Sequence, residues 1–301
     1  MRAYRLPYTR IALVLVACLT AAAAHAQWDL GLIAGGTGYE GELAPTNRFD
    51  HLELARPTVG VFGRYQFARS AAVRMSYQWL RVIGTDAGRG SSESRNQRFQ
   101  NDINEVAAML EFYPASADRL VAPYLTFGAV FYRHNPTTDF AGSTEIPAGR
   151  YELRELGTEG QGRPGFTDFY RLTGLALPIG GGIRFRLGER FLLGTEAIVR
   201  ITGTDYLDDI SALRYTPEEV LLADNPNGAL AAELAYRTDE YALNTDPNFR
   251  RPTPDDRRAN PETNDFYFSV QATFSYQFGN PRPLPKPRKR RNLGPIPCVR
   301  F

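Results

Sequence analysis

Eight segments of this chain alternate regularly between apolar and polar side chains, and no other feature constrains its fold as strongly. They are residues 28–35, 58–67, 71–80, 104–113, 123–132, 169–187, 191–202 and 266–278. A period of two residues places successive side chains on opposite faces of a β-strand. Most segments have about ten residues, the length of a tilted strand that crosses a bilayer. We therefore predict eight β-strands, each with one apolar and one polar face.

The connections between these segments alternate in length. Residues 68–70, 114–120 and 188–190 form short connections, whereas residues 36–57, 81–103, 133–168 and 203–265 form long ones. Short turns at one end and long loops at the other are typical of an up-and-down barrel in the bacterial outer membrane. The pattern predicts an all-β fold, an eight-stranded antiparallel transmembrane β-barrel with long extracellular loops. Both termini are then expected in the periplasm of a Gram-negative bacterium.

The polar faces of the predicted strands carry charges of both signs. We expect these charges to pair inside the barrel, because pairing makes buried charge tolerable. Eight strands leave room only for side chains, so we expect a filled lumen and no wide pore. The alternative is a soluble barrel with the same charges facing water. The predicted lumen residues are Arg64, Arg74, Glu105, Glu111, Arg184, Glu196 and Arg200.

Aromatic residues near the predicted strand ends fit the girdles found at the two membrane interfaces. We expect these girdles to contain Trp28, Tyr39, Phe67, Trp79, Phe112, Tyr113, Phe131, Tyr276 and Phe278.

The first 26 residues have the pattern of a secretory signal. Three arginines precede an apolar stretch, and a small-x-small site, Ala24 to Ala26, stands before Gln27. The alternative is a lipoprotein box that would lipidate Cys18. We therefore divide the chain into a signal peptide (1–26), a barrel (27–279) and a tail (280–301).

Charge is unevenly distributed along the chain. Of its 35 Lys and Arg residues, three lie in residues 1–26 and seven in residues 279–301, against 33 Asp and Glu residues that all lie between these segments. The acidic body disfavours a nucleic-acid partner. The proline-rich basic tail cannot form a core and is predicted to be extended. It is either an inert tail or a docking arm for a periplasmic partner, with the candidate residues Arg288, Lys289, Arg290, Arg291 and Cys298.

Several local motifs favour structural roles over chemistry. Residues 36–41 match G-x-G-x-x-G, but no helix follows, so we interpret them as a glycine-rich strand end. Two histidines, His51 and His134, lie in or beside long loops with no evident catalytic partner, so we predict no enzyme, and no cofactor is expected. Three aspartates at 205, 208 and 209 offer ligands for Ca²⁺, but their spacing matches no calcium loop, so we favour a solvated loop start.

Four stretches, residues 28–41, 151–162, 177–185 and 204–211, resemble the PorG-like family of Bacteroidetes outer-membrane proteins. The resemblance implies an OmpA-like barrel that acts as an accessory of the type IX secretion system. In that family the barrel is associated with a periplasmic ring made of a lipoprotein and a partner protein. The motif residues that carry the resemblance in two loops are Leu156, Gly157, Thr158, Glu159, Gly160, Asp205, Tyr206, Asp208 and Asp209.

The function expected from the sequence is therefore anchoring. The partners would be outer-membrane lipid and periplasmic proteins of the secretion machinery, with no small-molecule cofactor. Three alternatives remain open, in decreasing order of preference: a surface-binding or adhesion barrel that acts through its long loops, an enzymatic barrel, and a channel for small solutes.

Overall fold

The computed structural model describes residues 27–45, 53–88, 90–223, 225–244 and 250–279, apart from the side chains of residues 90–92 and 242–244. In these residues ten strands form one antiparallel sheet. The strands are β1 (Gln27–Glu40), β2 (Arg56–Ala68), β3 (Ala71–Thr85), β4 (Arg98–Phe112), β5 (Val121–Arg133), β6 (Pro136–Phe140), β7 (Gly149–Glu152), β8 (Thr173–Leu187), β9 (Phe191–Thr202) and β10 (Phe266–Phe278).

Eight of these strands close into a barrel. Their order is β3-β2-β1-β10-β9-β8-β5-β4, and β3 also pairs with β4, which completes the circle. The short hairpin of β6 and β7 continues from β4 on the side of the long connections. The predicted eight-stranded antiparallel barrel is confirmed.

The helices lie in the long connections. They are a 3₁₀ helix (Gly90–Arg95), α1 (Leu153–Leu156), α2 (Glu218–Leu222), α3 (Gly228–Ala235) and α4 (Thr238–Asn244). None of the helices in the described ranges has the length and hydropathy that a membrane span requires.

The apolar faces of the strands point outward. Leu32 of β1 lies opposite Val61 of β2 and Phe274 of β10, and these side chains are 62%, 53% and 45% exposed. The outer wall of the barrel is therefore a continuous apolar belt. Trp28, Phe112 and Phe278 are exposed on this outer surface. The assignment of Tyr39 and Tyr113 to the aromatic girdles was wrong, because both side chains are buried inside, where their hydroxyls bond carboxylates.

The strands on the long-loop side extend beyond the predicted segments. We predicted that the third strand ends at residue 80 and that the fourth begins at 104, but pairing continues to Thr85 and Arg98. In this extension the outward residues include the ion pair Arg81–Asp102 (2.6 Å), while Val82 and Ile103 face inward. The predicted pattern of an apolar outer face and a polar inner face therefore ends here, because apolar side chains lie on the inner face.

The glycine run in β8 allows close packing in the barrel wall. A Cβ atom at Gly180 would lie 2.3 Å from the carbonyl oxygen of Ala197, and one at Gly182 would lie 2.5 Å from that of Thr195. Only glycine fits such a close approach to β9 without a backbone shift.

The long-loop end of the barrel contains an apolar core. We define the loop layer as the described residues within 134–172 and 203–265. Leu207, Ile210 and Leu234 of this layer pack against inward side chains of the barrel. The main barrel residues of this core are Tyr39, Leu80, Val82, Phe99, Ile103, Tyr132 and Tyr267. The loops thus close the mouth of the barrel with a hydrophobic core.

Candidate functional site

A network of buried charges fills the lumen on the short-turn side. Arg64 bonds Glu111 at 2.7 Å and Asp29 at 3.2 Å. Arg74, which is fully buried, lies 2.7 Å from Glu196 and 3.4 Å from Glu111. Because each arginine contacts two carboxylates, the strands that carry them are cross-linked through the interior.

Two further arginines extend the charged interior. Arg200 bonds Glu105 through Nη2 at 2.8 Å, nearer the apolar core, and Tyr267 donates to the same carboxylate at 2.8 Å. Arg184 donates to the carbonyl of Ala117 at 2.7 Å and lies over the ring of Tyr113. The structure therefore places all seven predicted lumen residues inside the barrel, where each is buried.

Sequence reasoning missed several members of this network. Asp29 is fully buried, and the hydroxyl of Tyr124 donates to Glu196 at 2.6 Å. Gln271 also donates to Glu196, at 2.6 Å. The phase of β1 could have revealed Asp29, because Leu30 and Leu32 point outward and residue 29 must then face the lumen. The buried side chains of the described strands thus fill the interior.

The closed sheet, the apolar outer belt and the charged interior together define the fold. The chain has the fold of an eight-stranded outer-membrane β-barrel.

The two motif loops that were singled out in the sequence meet on top of this barrel. Thr158 donates to Asp209 at 2.6 Å, and the backbone amides of Ser211 and Ala212 donate to Glu159. Glu159 also pairs with Arg258 at 3.0 Å, and both side chains are buried. These contacts hold the two loops together in the loop layer.

The remaining motif residues shape this junction. Leu156 is buried, and Gly157 and Gly160 have φ angles of 61° and 83°, which favour glycine. Tyr206 stacks on Tyr170, with 4.6 Å between ring centroids. These motif residues therefore form part of the packing of the loop layer.

The predicted solvated start of the last long loop was wrong. Asp205, Asp208 and Asp209 are buried, because this segment turns inward over the mouth of the barrel. In the parts of the chain that the structure describes, no group of three or more His, Cys, Asp or Glu side chains is arranged to hold a metal ion.

Asp208 belongs to a buried chain of three oxygen-bearing side chains. The hydroxyl of Tyr39 lies 2.8 Å from Asp208 and 2.8 Å from Asp265. A phenol has one proton, so it donates to one carboxyl and must accept from the other. One of the two carboxyls is therefore protonated in this geometry. Burial raises the pKa of both Asp208 and Asp265, which favours the protonated form.

These raised pKa values predict how the loop layer responds to pH. Burial raises the pKa of Asp209 to about 7 and that of Asp205 also to about 7. An unfolded aspartate has a pKa of about 3.9, so between these values the folded layer binds more protons than the unfolded one. The stability contributed by this difference is fully present below about pH 4 and is lost as the pH rises through about 7. Hydrogen-exchange protection of residues 203–212, corrected for intrinsic exchange, should be lower at pH 8 than at pH 5.

A matched pair of variants tests the source of this dependence. Asp209→Asn, which stays neutral, should flatten part of the pH dependence, whereas the exposed Asp168→Asn should leave it unchanged. Equal pH dependence in wild type and Asp209→Asn would contradict the assignment.

The remaining predicted site residues fall into two groups. His134 is buried, contacts Asn101 (3.1 Å) and lies between the rings of Tyr132 and Tyr170, so it packs as part of the loop layer. Burial lowers its pKa to about 4, and it is therefore neutral at pH 7. His51, the signal segment and the tail lie outside the described residues, as do the tail candidates Arg288, Lys289, Arg290, Arg291 and Cys298.

One family model matches part of this chain. It is described as "Domain of unknown function (DUF6089)" and matches residues 9–153, slightly less than half of the sequence. No curated protein matches the sequence.

Several solved structures are similar to the chain. The attachment invasion locus protein Ail of Yersinia pestis, in complex with the heparin analogue sucrose octasulfate, has a TM-score of 0.35 and 11% identity, covering 84% of this chain and 97% of that chain. Neisserial surface protein A has a TM-score of 0.38 and 10% identity, covering 83% and 97%. A major outer membrane protein of Thermus thermophilus has a TM-score of 0.40 and 12% identity, covering 84% and 99%.

Proposed function

We propose that this chain is a non-enzymatic barrel that spans the outer membrane of a Gram-negative bacterium. The observation that carries the proposal is the contrast between the two faces of the wall. Large apolar side chains such as Leu175 and Leu32 are exposed on the outside, while paired charges are buried inside. An apolar belt of this extent is unfavourable in water and favourable in lipid.

The proposed orientation places the short turns and both ends of the barrel in the periplasm. Residues 69–70, 113–120 and 188–190 connect strands on the same side as the start of β1 and the end of β10. Outer-membrane barrels carry their short turns on the periplasmic side. The loop layer would then face the cell exterior, and residues 280–301 would extend into the periplasm.

Within this frame we propose an anchoring role for the tail. Its basic and proline-rich composition suits an extended arm that docks on a periplasmic partner through charge. The resemblance to the PorG-like family suggests that the partner is a lipoprotein-containing ring of the type IX secretion system. The candidate contacts are Arg288, Lys289, Arg290, Arg291 and Cys298.

Removal of residues 280–301 tests the anchoring role. We expect the barrel to remain inserted and heat-modifiable, because its strands are complete at Phe278, while recovery of the crosslinked periplasmic partner decreases several-fold. Membrane pull-down with mass-spectrometric identification measures this recovery. A matched variant with glutamine at residues 288–291 keeps the length but removes the charge, and Cys298→Ser removes the thiol alone. Unchanged partner recovery in all three variants would reject the docking arm.

A second candidate function, surface binding through the loops, is favoured by a pocket in the loop layer. This pocket of about 630 Å³ lies between the loop after α1 and helix α2, and Gln161, Arg163 and Phe169 contribute to its lining. Gln161 is buried, and its Nε2 has no partner among the described residues. Loss of cell-surface binding in Phe169→Ala but not in the tail deletion would favour this candidate over anchoring.

A further inference from the structure

A second pocket, between the loop layer and the 3₁₀ helix, is rich in arginines. It has a volume of about 370 Å³ and opens between the 3₁₀ helix, helix α4 and the segment before β10. Its lining includes five arginines and one acidic residue, Asp256. The five arginines are Arg95, Arg250, Arg251, Arg257 and Arg258.

Three of these arginines have structural partners. Arg95 forms a two-pronged pair with Asp86 at 2.8 Å, and Arg258 pairs with the buried Glu159. Arg251 contacts Glu218 at 3.0 Å and Asp239 at 3.3 Å, and its guanidinium lies 4.7 Å from the ring of Tyr236. The charge of these three arginines is therefore largely compensated.

Arg257 has a different environment. No carboxylate among the described residues lies within ion-pair distance of it, and its Nε donates to the carbonyl of Ala259. Arg257 also forms an isolated antiparallel bridge with Arg214, whose Nη1 donates to the carbonyl of Asp255. Residues opposite each other in such a bridge project to the same face, and like charges there repel. A bound anion would offset this repulsion.

Arg250 also lines the pocket and adds a second exposed positive charge to that of Arg257. It is 75% exposed, and its nearest carboxylate, Asp256, is 3.5 Å away. One oxygen of Asp256 already accepts from both the amide and the hydroxyl of Thr253. Asp256 therefore stabilises the local turn and compensates only part of the charge of Arg250 and Arg257.

A buried hydroxyl provides an independent indication of a ligand. Thr238 lines the pocket and is 1% exposed, yet its Oγ1 has no hydrogen-bond partner in the described chain. A buried hydroxyl without a partner costs free energy, so such groups are normally satisfied by protein, water or ligand. An oxyanion held by the arginines could accept this hydrogen bond.

We propose that this pocket binds a phosphate or sulfate ester, with Arg250 and Arg257 as its main cationic contacts and Thr238 as a donor. Guanidinium groups present paired N–H donors that match the oxygens of phosphate and sulfate. The inference goes beyond the anchoring role, because it concerns the loop layer and not the tail. The ester can belong to a lipid headgroup of the surrounding membrane or to a soluble phosphorylated or sulfated compound.

Titration calorimetry of the full chain in non-ionic detergent tests the site with inositol hexakisphosphate as the soluble probe. We expect Arg257→Gln and Arg250→Gln each to weaken binding about tenfold and Thr238→Val to weaken it about threefold. Binding should also weaken steeply with added salt. Arg69→Gln, which removes an exposed arginine at the opposite end of the barrel, should have no effect.

Two further arms distinguish the source and the chemistry of the ligand. Vesicles of phosphatidylethanolamine with or without lipid A test a headgroup source, and citrate tests whether a carboxylate polyanion is sufficient. Arginine-dependent binding of the soluble probe, the lipid A vesicles or both supports the site and assigns its source. No binding of either phosphate probe by the wild type, equal binding by the three pocket variants, or equal affinity for citrate would overturn the proposal. None of these readouts depends on the tail or on a periplasmic partner.

Discussion

Replacing Glu196 with alanine is expected to destabilise the barrel by about 3–5 kcal/mol. Glu196 is the nearest carboxylate to Arg74, at 2.7 Å, and it also accepts from Tyr124 and Gln271. Removal would leave the fully buried Arg74 with Glu111 alone, at 3.4 Å, and two donors without acceptors. Because a buried charge without adequate pairing is very unfavourable, the free energy of unfolding in urea should decrease by this amount.

The control uses an exposed ion pair of the same chemistry. Asp139 pairs with Arg150 at 2.8 Å, and both side chains are about half exposed, so Asp139→Ala should cost at most about 1 kcal/mol. Glu196→Gln, which retains hydrogen-bonding capacity but not charge, should give an intermediate result. A loss below about 1 kcal/mol for Glu196→Ala would show that the lumen network does not hold the strands together.

Replacing Leu32 with arginine is expected to destabilise the membrane-inserted barrel by about 2–4 kcal/mol. Leu32 lies near the middle of β1, with outward neighbours Val61 and Phe274 on the adjacent strands. If lipid contacts this face, a charge at this depth loses its hydration. The effect is measured by reversible unfolding in phospholipid vesicles and by the yield of heat-modifiable protein.

The same replacement at a residue of the loop layer provides the control. Leu213 is also exposed, but it lies between β9 and β10 in the proposed extracellular layer, so Leu213→Arg should change stability by less than about 0.5 kcal/mol. A soluble barrel predicts no difference between the two variants, because arginine on a water-facing wall is harmless. Equal stability of Leu32→Arg and wild type in vesicles would refute membrane insertion through this belt.

The amino-acid sequence was sufficient to predict the strands that have one lipid-like and one polar face. The segments at 191–202 and 266–278 match β9 and β10 residue for residue, because every second side chain there is apolar. The same phase identified Arg74 and Glu196 as inward-facing, although they are 122 residues apart. Local periodicity thus predicts the fold class and identifies the charged residues that face the barrel interior.

The loop layer could not be predicted in this way. Asp208 and Asp209 follow one another in a polar segment, and polarity alone indicates solvent exposure. The structure instead buries both, since Tyr39 of β1, Tyr170 and Thr158 supply donors from distant parts of the chain. Similarly, the arginines of the second pocket come from two segments, the 3₁₀ helix and residues 250–258, which meet only in the folded chain.

The sequence by itself determined the number of barrel strands, the faces of these strands and the alternation of short and long connections, because these depend on side-chain period and segment length. It did not indicate the additional hairpin of β6 and β7. Only the tertiary structure decided the partner of each buried charge, the apolar core at the mouth and the folding of the loops into a layer. Ion pairs and cores depend on distances between residues far apart in the chain, and those distances are set when the barrel closes.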